Sequence, residues 1–370
     1  MIRLAFVGCG AVTEEEHLPA LRGLRDIQTV AVVDPNPQRL HLVADRFRIP
    51  ERYKDVDTLL ATAKIDAVAV CIPATVHCEV VLPLLEAGKH VFVEKPPALS
   101  LDDADRMIEY ARRSPGKVLV GYHMRWHRLV RQARAVLETG VLGALESIRL
   151  VWYGPRDDLD LPLWRERRDL GGGALVETAV DHFDMLRYLL GTEIEEIFAM
   201  SRPGRREDEI AVVSAVLANH VLASAVFSER TTGDIEIEVC GSAGRLRVSC
   251  ERVEGLALYP NGTSPGSLRA RLHRMPEVLR ALPRGLVNLW GGGDFKASYR
   301  NQWRHFIGAI RNNTQVECTL ADGRAALQIA LAAAESATLR RPVRVLHASR
   351  TMVPAATSRA GGARVGRDGE

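Results

Sequence analysis

The stretch "IRLAFVGCGAV", residues 2–12, joins a short apolar run to a turn that contains two glycines. The run predicts a buried strand, and Gly8 and Gly10 fall where that strand ends. Because these positions carry no side chain, backbone N–H groups and the start of a following helix can approach a pyrophosphate. Thr13 stands where this fingerprint usually has its third glycine. The stretch predicts the start of a dinucleotide-binding domain.

Up to residue 121, four more apolar runs ("TVAVVD", "DAVAVCIP", "HVFVEKP" and "KVLVGYH") alternate with spacers long enough for helices. This pattern is typical of a doubly wound α/β domain with a parallel sheet. After residue 145 six strand-like runs follow one another closely, from "ESIRLVWY" to "GRLRVSC", which predicts an antiparallel sheet. We therefore expect two domains, 1–121 and 122–348, and a disordered tail at 349–370, where periodic apolar residues are lacking.

The composition limits the class of protein. With 370 residues, 46% hydrophobic and 26% charged, the chain is long enough for two globular domains, and a formal charge of +3 does not favour nucleic acid as a partner. The six cysteines form no CxxC pair or zinc-like cluster, so we expect free thiols, no metal and a cytoplasmic location. No run of about 18 apolar residues predicts a membrane span. The basic amphipathic stretch at 267–290 is expected to pack on its own sheet rather than on a membrane.

Asp34 ends the second strand-like run, where an acid can accept hydrogen bonds from an adenosine ribose. The same carboxylate would repel a 2′-phosphate, which favours NAD, whereas the nearby Arg39 leaves room for NADP. In the alternative interpretation Asp34 is only a turn residue before Pro35.

Two further strand ends carry polar groups, in "CIPATVH" and "VFVEKP". Ligands of open parallel sheets bind at such ends. Lys95 could lie beside a nicotinamide and donate to a substrate oxygen. His77 either reaches the same crevice or packs on its own helical turn.

Together, "GCGAVTEEEHLPAL", "EAGKHVFVEKPPALSLDDAD", "GYHMRWHRLVRQAR" and "GGGALVETAVDHFDMLRYLLG" resemble the Gfo/Idh/MocA oxidoreductases over residues 1 to about 345. The resemblance implies a Rossmann domain, a C-terminal α/β domain with a large open, mostly antiparallel sheet, and NAD(P). It also implies a sugar, cyclitol or sugar-nucleotide substrate, a homodimer or homotetramer formed through the open sheets, and a catalytic Lys95. The candidate cofactor-binding residues are Gly8, Cys9, Gly10, Ala11, Val12, Asp34, Arg39, Pro73, Ala74, His77, Glu94, Lys95 and Arg125.

The segment after the triple glycine departs from the family pattern of an acid followed four residues later by a histidine. Aligned on the glycines, these positions are Glu177 and Asp181, and His182 lies one place on. Since one residue turns a helix by about 100°, His182 cannot simply take the vacated position. Helical spacing places Glu177, Asp181, Asp184 and Tyr188 on one stripe and His182 on its flank, as a packed histidine.

An acidic stripe needs a cation or a shared proton, and the candidate cations are Lys95, Arg125, Arg165 and Arg168. Asp181 could be an unconventional acid/base beside Lys95, Glu177 and His182, a ligand of substrate hydroxyls, or the mark of a catalytically silent relative. The candidate substrate-binding residues are Lys95, Tyr122, His123, Arg125, Trp164, Arg165, Asp181 and His182.

The leading hypothesis is an NAD(P)-dependent oxidoreductase in which Lys95 handles the proton of the substrate oxygen. One alternative is a lyase or glycosidase that uses NAD for transient oxidation. Another is a nucleotide-binding relative without activity, suggested by the missing histidine.

Overall fold

The computed structural model describes residues 1–154, 162–252, 254–262 and 293–347. The basic amphipathic stretch at 267–290 and the tail at 349–370 lie outside these ranges, so their predictions are not tested.

The N-terminal half contains a six-stranded sheet in which every neighbouring pair is parallel. Its spatial order is β3-β2-β1-β4-β5-β6, which places the ends of β1 and β4 side by side where the order reverses. Four of the six strands are apolar runs with little exposed surface, as helices on both faces require. The strands are β1 Ile2–Val7, β2 Ile27–Val33, β3 Glu51–Tyr53, β4 Ala67–Val70, β5 His90–Val93 and β6 Val118–Val120.

The α-helices of the described residues are α1 Leu18–Leu21, α2 Pro37–Phe47, α3 Val56–Thr62, α4 His77–Glu86, α5 Leu101–Arg113, α6 Arg128–Glu138, α7 Ala179–Leu190, α8 Gly293–Arg311 and α9 Leu320–Leu339. A capping box is present at the start of α9, where the Thr319 hydroxyl accepts from the Asp322 N–H and the Asp322 carboxylate accepts from the Thr319 N–H. Two π-helical turns, Thr13–His17 and Ala174–Thr178, precede α1 and α7.

The second sheet has eight strands in the order β13-β12-β11-β7-β10-β9-β8-β14. Neighbours are antiparallel except β7 and β10, which run parallel, so the predicted antiparallel sheet is corrected at this pair. The fold class predicted from the sequence is confirmed. The strands are β7 Leu145–Tyr153, β8 Ile194–Arg202, β9 Ile210–Leu217, β10 Leu222–Ser228, β11 Asp234–Gly241, β12 Gly244–Ser249, β13 Leu256–Pro260 and β14 Val343–Arg344.

The second sheet buries one face and exposes the other. Along β10, Ala223, Ala225 and Phe227 are buried, whereas Leu222 is 57% exposed. This alternation is the period-two pattern of a strand with one solvated face. The buried face packs against α9 at β8 and against α7 at the Phe183–Phe227 contact, and among the described residues no helix covers the opposite face.

The two halves are joined by helices from the far end of the chain. Trp303 of α8 is fully buried and stacks on Phe92 of β5 with 4.6 Å between ring centroids. At the sheet edge the Val120 N–H donates to the Cys318 carbonyl, and Gln302 Nε2 donates to the Val120 carbonyl. The nucleotide-type sheet is therefore completed by residues that follow the second sheet. Within the described ranges, no helix has the length and apolar character needed to cross a bilayer.

Candidate active site

The two glycines of the turn have different surroundings. Gly8 has a φ of 99°, and a Cβ at this position would lie 2.2 Å from the Cys71 carbonyl oxygen, so only glycine fits. A Cβ at Gly10 would meet nothing within 4 Å. Thr13 is buried, and its hydroxyl donates to the Gly8 carbonyl at 2.8 Å, which holds the following helical turn against the loop.

A cavity of about 600 Å³ opens beside this turn, lined by Gly8, Gly10, Asp34 and Pro73 among others. The Asp34 carboxylate accepts from the N–H groups of Cys9 and Asn36, each at 2.8 Å. These bonds hold one carboxylate at the carboxyl end of β2. Its position suits a partner that donates hydroxyl hydrogens.

The other candidate cofactor residues divide into two groups. Ala11 and Val12 begin the helix after the turn, and Ala74 begins a short 3₁₀ turn at the end of β4. His77 is buried, and its ring nitrogens lie 2.9 Å and 3.1 Å from the carbonyl oxygens of Ile72 and Pro96. His77 therefore packs between the loop after β4 and the turn that follows Lys95.

Glu94 is held by a chain of hydrogen bonds that the sequence did not reveal. Trp303 Nε1 donates to His17 Nδ1 at 3.1 Å, so the proton of neutral His17 is on Nε2, which donates to Glu94 Oε1 at 2.8 Å. The Lys95 N–H donates to Glu94 Oε2 at 3.1 Å. His17 is fully buried, and this chain fixes the backbone that carries Lys95.

The Lys95 ammonium lies between two groups of the segment that follows the triple glycine. Nζ is 2.8 Å from Asp181 Oδ2 and donates to the Glu177 carbonyl oxygen at 2.7 Å. Asp181 Oδ1 is buried and has no hydrogen-bond partner among the described residues. A buried carboxylate oxygen without a partner is costly in a closed protein and marks a place for a ligand or water.

The pKa values of both groups are raised, but for different physical reasons. Burial raises the pKa of Asp181 to about 6, although the Lys95 charge opposes the shift. Burial disfavours the Lys95 ammonium, but the carboxylates of Asp181, Glu177 and Glu94 outweigh it and raise the pKa of Lys95 above its ordinary value. At neutral pH the pair is therefore an ammonium beside a carboxylate that can be protonated at moderate cost.

The predicted stripe is altered at Glu177, because Ala174–Thr178 form a π-helical turn that changes the rotation per residue, whereas Asp181 and Asp184 lie in the regular helix α7. The Glu177 side chain turns to Arg165, whose Nε donates to Oε1 at 2.6 Å, and Arg206 Nη1 lies 3.7 Å from Oε2. Asp181 contacts Lys95, while Asp184 contacts Arg125. Each acid of the stripe therefore has its own cation.

His182 lies on the sheet side of α7, 3% exposed and against Trp152 and Phe227. Nδ1 lies 2.9 Å from the Thr178 carbonyl oxygen, and burial lowers the pKa of His182 to about 4. The neutral ring therefore donates from Nδ1 to that carbonyl, and its Nε2 has no partner in the part of the chain that the structure describes. These contacts match a packed histidine rather than an acid or base beside Lys95.

Arg125 is bound by protein groups from several segments. Its guanidinium donates twice to Asp184, at 2.7 Å from Nε and 2.5 Å from Nη2, and once to the Glu317 carbonyl at 2.8 Å. Nη2 also lies 3.2 Å from Asp322 Oδ1, and the side chain is 6% exposed. This geometry makes Arg125 a buried clamp between distant segments, and its contact with cofactor or substrate stays a prediction. Arg168, a candidate cation for the stripe, likewise pairs with the buried Asp208.

Tyr122 and His123 follow β6 closely and are both buried. The Ser298 hydroxyl donates to the Phe295 carbonyl, so His123 Nδ1 donates to Ser298 Oγ at 2.8 Å. Burial, aided by the Lys95 charge, holds the pKa of His123 well below its usual range. The neutral ring stacks on Tyr299 at 4.3 Å.

Near Lys95 and Asp181, the Arg165 guanidinium lies 5.7 Å from the centre of the Trp164 ring, and both side chains are partly exposed. Buried Arg206 and Glu229 form a further ion pair there, and the Thr178 hydroxyl donates to Glu229 Oε1 at 2.8 Å. Sequence reasoning missed Arg206, Glu229 and His17, because only the folded chain shows that they face the site. Within the described ranges, no three His, Cys, Asp or Glu side chains are placed to hold a metal.

Comparison with known proteins gives the same picture. Residues 2–122 match the sequence model described as the oxidoreductase family, NAD-binding Rossmann fold, and residues 130–247 match the GFO/IDH/MocA C-terminal domain. The myo-inositol 2-dehydrogenase of Thermotoga maritima is 28% identical over 355 residues, 93% of this chain and 98% of that protein.

Two further proteins extend the comparison. The D-glucoside 3-dehydrogenase of Escherichia coli is 31% identical over 194 residues, 51% of this chain and 54% of that protein. The crystal structure of a probable dehydrogenase from Thermotoga maritima superposes with a TM-score of 0.74 at 26% identity, over 93% of this chain and 99% of that one. The predicted family is therefore confirmed.

The two glycines of the turn provide a matched test. Gly8→Ala combines a positive φ with a backbone clash, so we expect a loss of about 2 kcal/mol or more in the free energy of unfolding. Gly10→Ala places a methyl group in the open space, so we expect unchanged stability and at least tenfold weaker NADH binding. Thermal unfolding and NADH fluorescence titration measure the two effects. Unchanged NADH affinity in Gly10→Ala would show that the cofactor does not lie over this residue.

Proposed function

The chain belongs to the Gfo/Idh/MocA oxidoreductase family, and we propose that it transfers hydride between nicotinamide and a carbinol or ketone carbon of a sugar, cyclitol or sugar nucleotide. The names of relatives support this substrate range, since they include myo-inositol 2-dehydrogenase, D-glucoside 3-dehydrogenase and a dTDP-sugar 3-reductase. NAD is the cofactor of the matched Rossmann domain.

The residues present fit this cofactor. The open space above Gly10 admits a pyrophosphate, and the fixed Asp34 carboxylate is placed to accept ribose hydroxyls. Pro73 lines the cavity between these groups and the end of β4. When bound, NAD accepts the hydride and NADH returns it, whereas the proton of the substrate oxygen is left to the protein.

The observation that carries the proposal is the surroundings of Lys95 Nζ. A lysine ammonium has three N–H donors. One points to Asp181 Oδ2 and one to the Glu177 carbonyl. Among the contacts of the described residues the third is unassigned, and we propose that it meets the oxygen of the reacting carbon.

A proton path follows from this arrangement. During oxidation the hydroxyl proton of the substrate passes to Lys95 Nζ as Nζ gives one of its own protons to Asp181 Oδ2. Lys95 ends as an ammonium, Asp181 ends as a carboxylic acid, and reduction reverses both transfers. A pKa of about 6 for Asp181 suits this role, because an acid/base works best when its pKa lies near the working pH.

Neighbouring groups suit a polyhydroxylated substrate. The Glu177 carboxylate and the Arg165 guanidinium form a side-by-side acceptor and donor at the pair. The Trp164 ring beside Arg165 offers a flat face of the kind that sugar rings pack against. We propose that Glu177 and Arg165 bind hydroxyls away from the reacting carbon and that Trp164 packs on the face of the ring.

Activity is tested with the purified protein, NAD(H) and a panel of cyclitols, sugars and sugar nucleotides, followed at 340 nm. We expect turnover with at least one compound and a loss of about 10³-fold or more in Lys95→Met, because that variant removes the donor to the substrate oxygen. The exposed variant Glu109→Gln serves as the control. Product release without net NADH would instead identify the transient-oxidation reaction.

The Asp181 assignment predicts a pH profile. Because the carboxylate accepts the proton in oxidation, kcat/KM for oxidation should rise with pH up to about 6 and then level. For reduction the protonated form is needed, so the rate should fall above about 6. We expect Asp181→Asn to lower kcat by about 10²-fold or more and to remove this change of rate with pH. If the Asp181→Asn variant keeps the same change of rate with pH, another group accepts the substrate proton.

We also propose that two copies associate through the open face of the second sheet, in a reducing compartment such as the cytoplasm. The exposed apolar side chains there are those of Met200, Val212, Leu222 and Leu258. Beside them Arg247 pairs with Glu236, and the Arg149 and Glu238 side chains lie 3.5 Å apart, so the face carries both apolar and charged groups. A two-fold axis can bury such a face on itself.

Leu222→Arg tests this interface. Light scattering after size exclusion should give a multiple of 40.8 kDa for the unchanged protein and a shift toward 40.8 kDa for the variant, because a charge would be buried in the interface. Leu42→Arg, on the exposed side of α2, is the control and should keep the oligomer. A monomeric unchanged protein would refute the proposal.

A further inference from the structure

Glu14 is a buried carboxylate within the run of three glutamates that follows the glycine turn. It is 8% exposed, whereas its neighbour Glu15 faces solvent. The π-helical turn Thr13–His17 directs Glu14 away from the catalytic pair and toward α2. The mechanism proposed above does not use this carboxylate.

Glu14 holds two arginines of α2. Arg39 Nη2 donates to Glu14 Oε2 at 2.7 Å, and Arg46 Nη1 donates to Oε1. Arg39 also donates from Nε and Nη2 to the Cys9 carbonyl, at 3.0 Å and 2.6 Å. Although burial opposes ionisation, the two guanidinium groups outweigh it and lower the pKa of Glu14. The Arg39 guanidinium is therefore fixed against the back of the glycine turn.

The cavity next to Asp34 has the opposite charge. Asp34 lines it together with Asp55, Asp57 and Glu79, and the only cation among the described lining residues is Lys54. A ribose with free hydroxyls can donate to such a surface. A 2′-phosphate carries nearly two negative charges and needs guanidinium or ammonium donors instead.

The Arg39 guanidinium lies close to this cavity. It donates to the Cys9 carbonyl, while the N–H of the same residue donates to the Asp34 carboxylate. The Asp34 and Arg39 side chains therefore bind the two backbone polar groups of Cys9. Whether Arg39 can serve a 2′-phosphate depends on what holds it, and the charged group that holds it is Glu14.

We propose that Glu14 is a specificity residue for the cofactor: by pinning Arg39 at the Cys9 carbonyl, it withholds from the cavity the guanidinium that a 2′-phosphate would need. Asp34 supplies the repulsion, and Glu14 keeps the compensating cation away. Exclusion of NADP then rests on two carboxylates from different elements. Loss of Asp34 alone should leave most of the discrimination against NADP in place.

The test measures the dissociation constants of NADH and NADPH by nicotinamide fluorescence, so it depends neither on the substrate nor on the reaction proposed above. The variants are Asp34→Ser, Glu14→Gln, their combination, and the combination with Arg39→Ala. We expect Asp34→Ser to improve the NADPH-to-NADH affinity ratio by less than about tenfold. Adding Glu14→Gln should improve it by a further tenfold or more, and adding Arg39→Ala should abolish this second gain.

Two controls separate specificity from general damage. Glu15→Gln in the Asp34→Ser background removes a neighbouring exposed charge and should give no second gain. Thermal unfolding of each variant checks that the fold is kept, and the ratio of the two affinities cancels uniform losses of binding. Glu14→Gln is nearly isosteric and can still accept one arginine hydrogen bond.

Arg39→Ala in the unchanged background gives a second, independent readout. If Glu14 pins Arg39, the affinity ratio should not move, because the guanidinium already contributes nothing to a 2′-phosphate. A fall in NADPH affinity relative to NADH in this variant would overturn the proposal. A combined variant that gains nothing over Asp34→Ser, or keeps its gain without Arg39, would overturn it as well.

Discussion

The contact between Lys95 Nζ and Asp181 Oδ2 is the interaction on which the rest of the site depends. Lys95 lies two residues beyond Val93, the last residue of the parallel strand β5, and Asp181 belongs to a helix that packs on the second sheet. The contact therefore joins the two halves of the chain through two groups that can share a proton. Its chemistry comes from opposing influences, since burial raises the pKa of Asp181 while the ammonium opposes that shift. A fully solvated pair would titrate near ordinary values and could exchange protons less readily at neutral pH.

Much of the architecture could be predicted from the sequence, because it depends on local pattern. Apolar runs ending in glycine or proline identified five of the six parallel strands, and Lys95 could be placed at a strand end. The missing strand, β3, has only three residues, too few for a pattern to appear. The parallel pair of β7 and β10 was also missed, since strand direction depends on connections between distant segments.

The errors at the site have one physical origin. Regular α-helical geometry was assumed for the segment after the triple glycine, but a π-helical turn lies at its start and redirects Glu177 to Arg165, whereas Asp181 and Asp184 keep the spacing of the regular helix α7. Arg125 was one of the candidate cations and does pair with Asp184 of the stripe, but its contact with Asp322 could not be found, because Asp322 is far from it in the chain. Spacing gave the correct position for His182, on the flank of α7, because it lies beyond the irregular turn and within the regular helix.

The return of α8 and α9 to the first sheet has a consequence for how the molecule forms. Phe92 stacks on Trp303, and the Val120 N–H is paired with the carbonyl of Cys318, more than 170 residues later in each case. During synthesis, a chain that has reached only the end of β6 lacks the side chains that cover this edge of the parallel sheet. The apolar edge stays open until nearly the whole chain has emerged, and a shortened protein ending before α8 would present it to solvent, chaperones and other nascent chains. The nucleotide-binding half is thus early in the sequence but late to be completed.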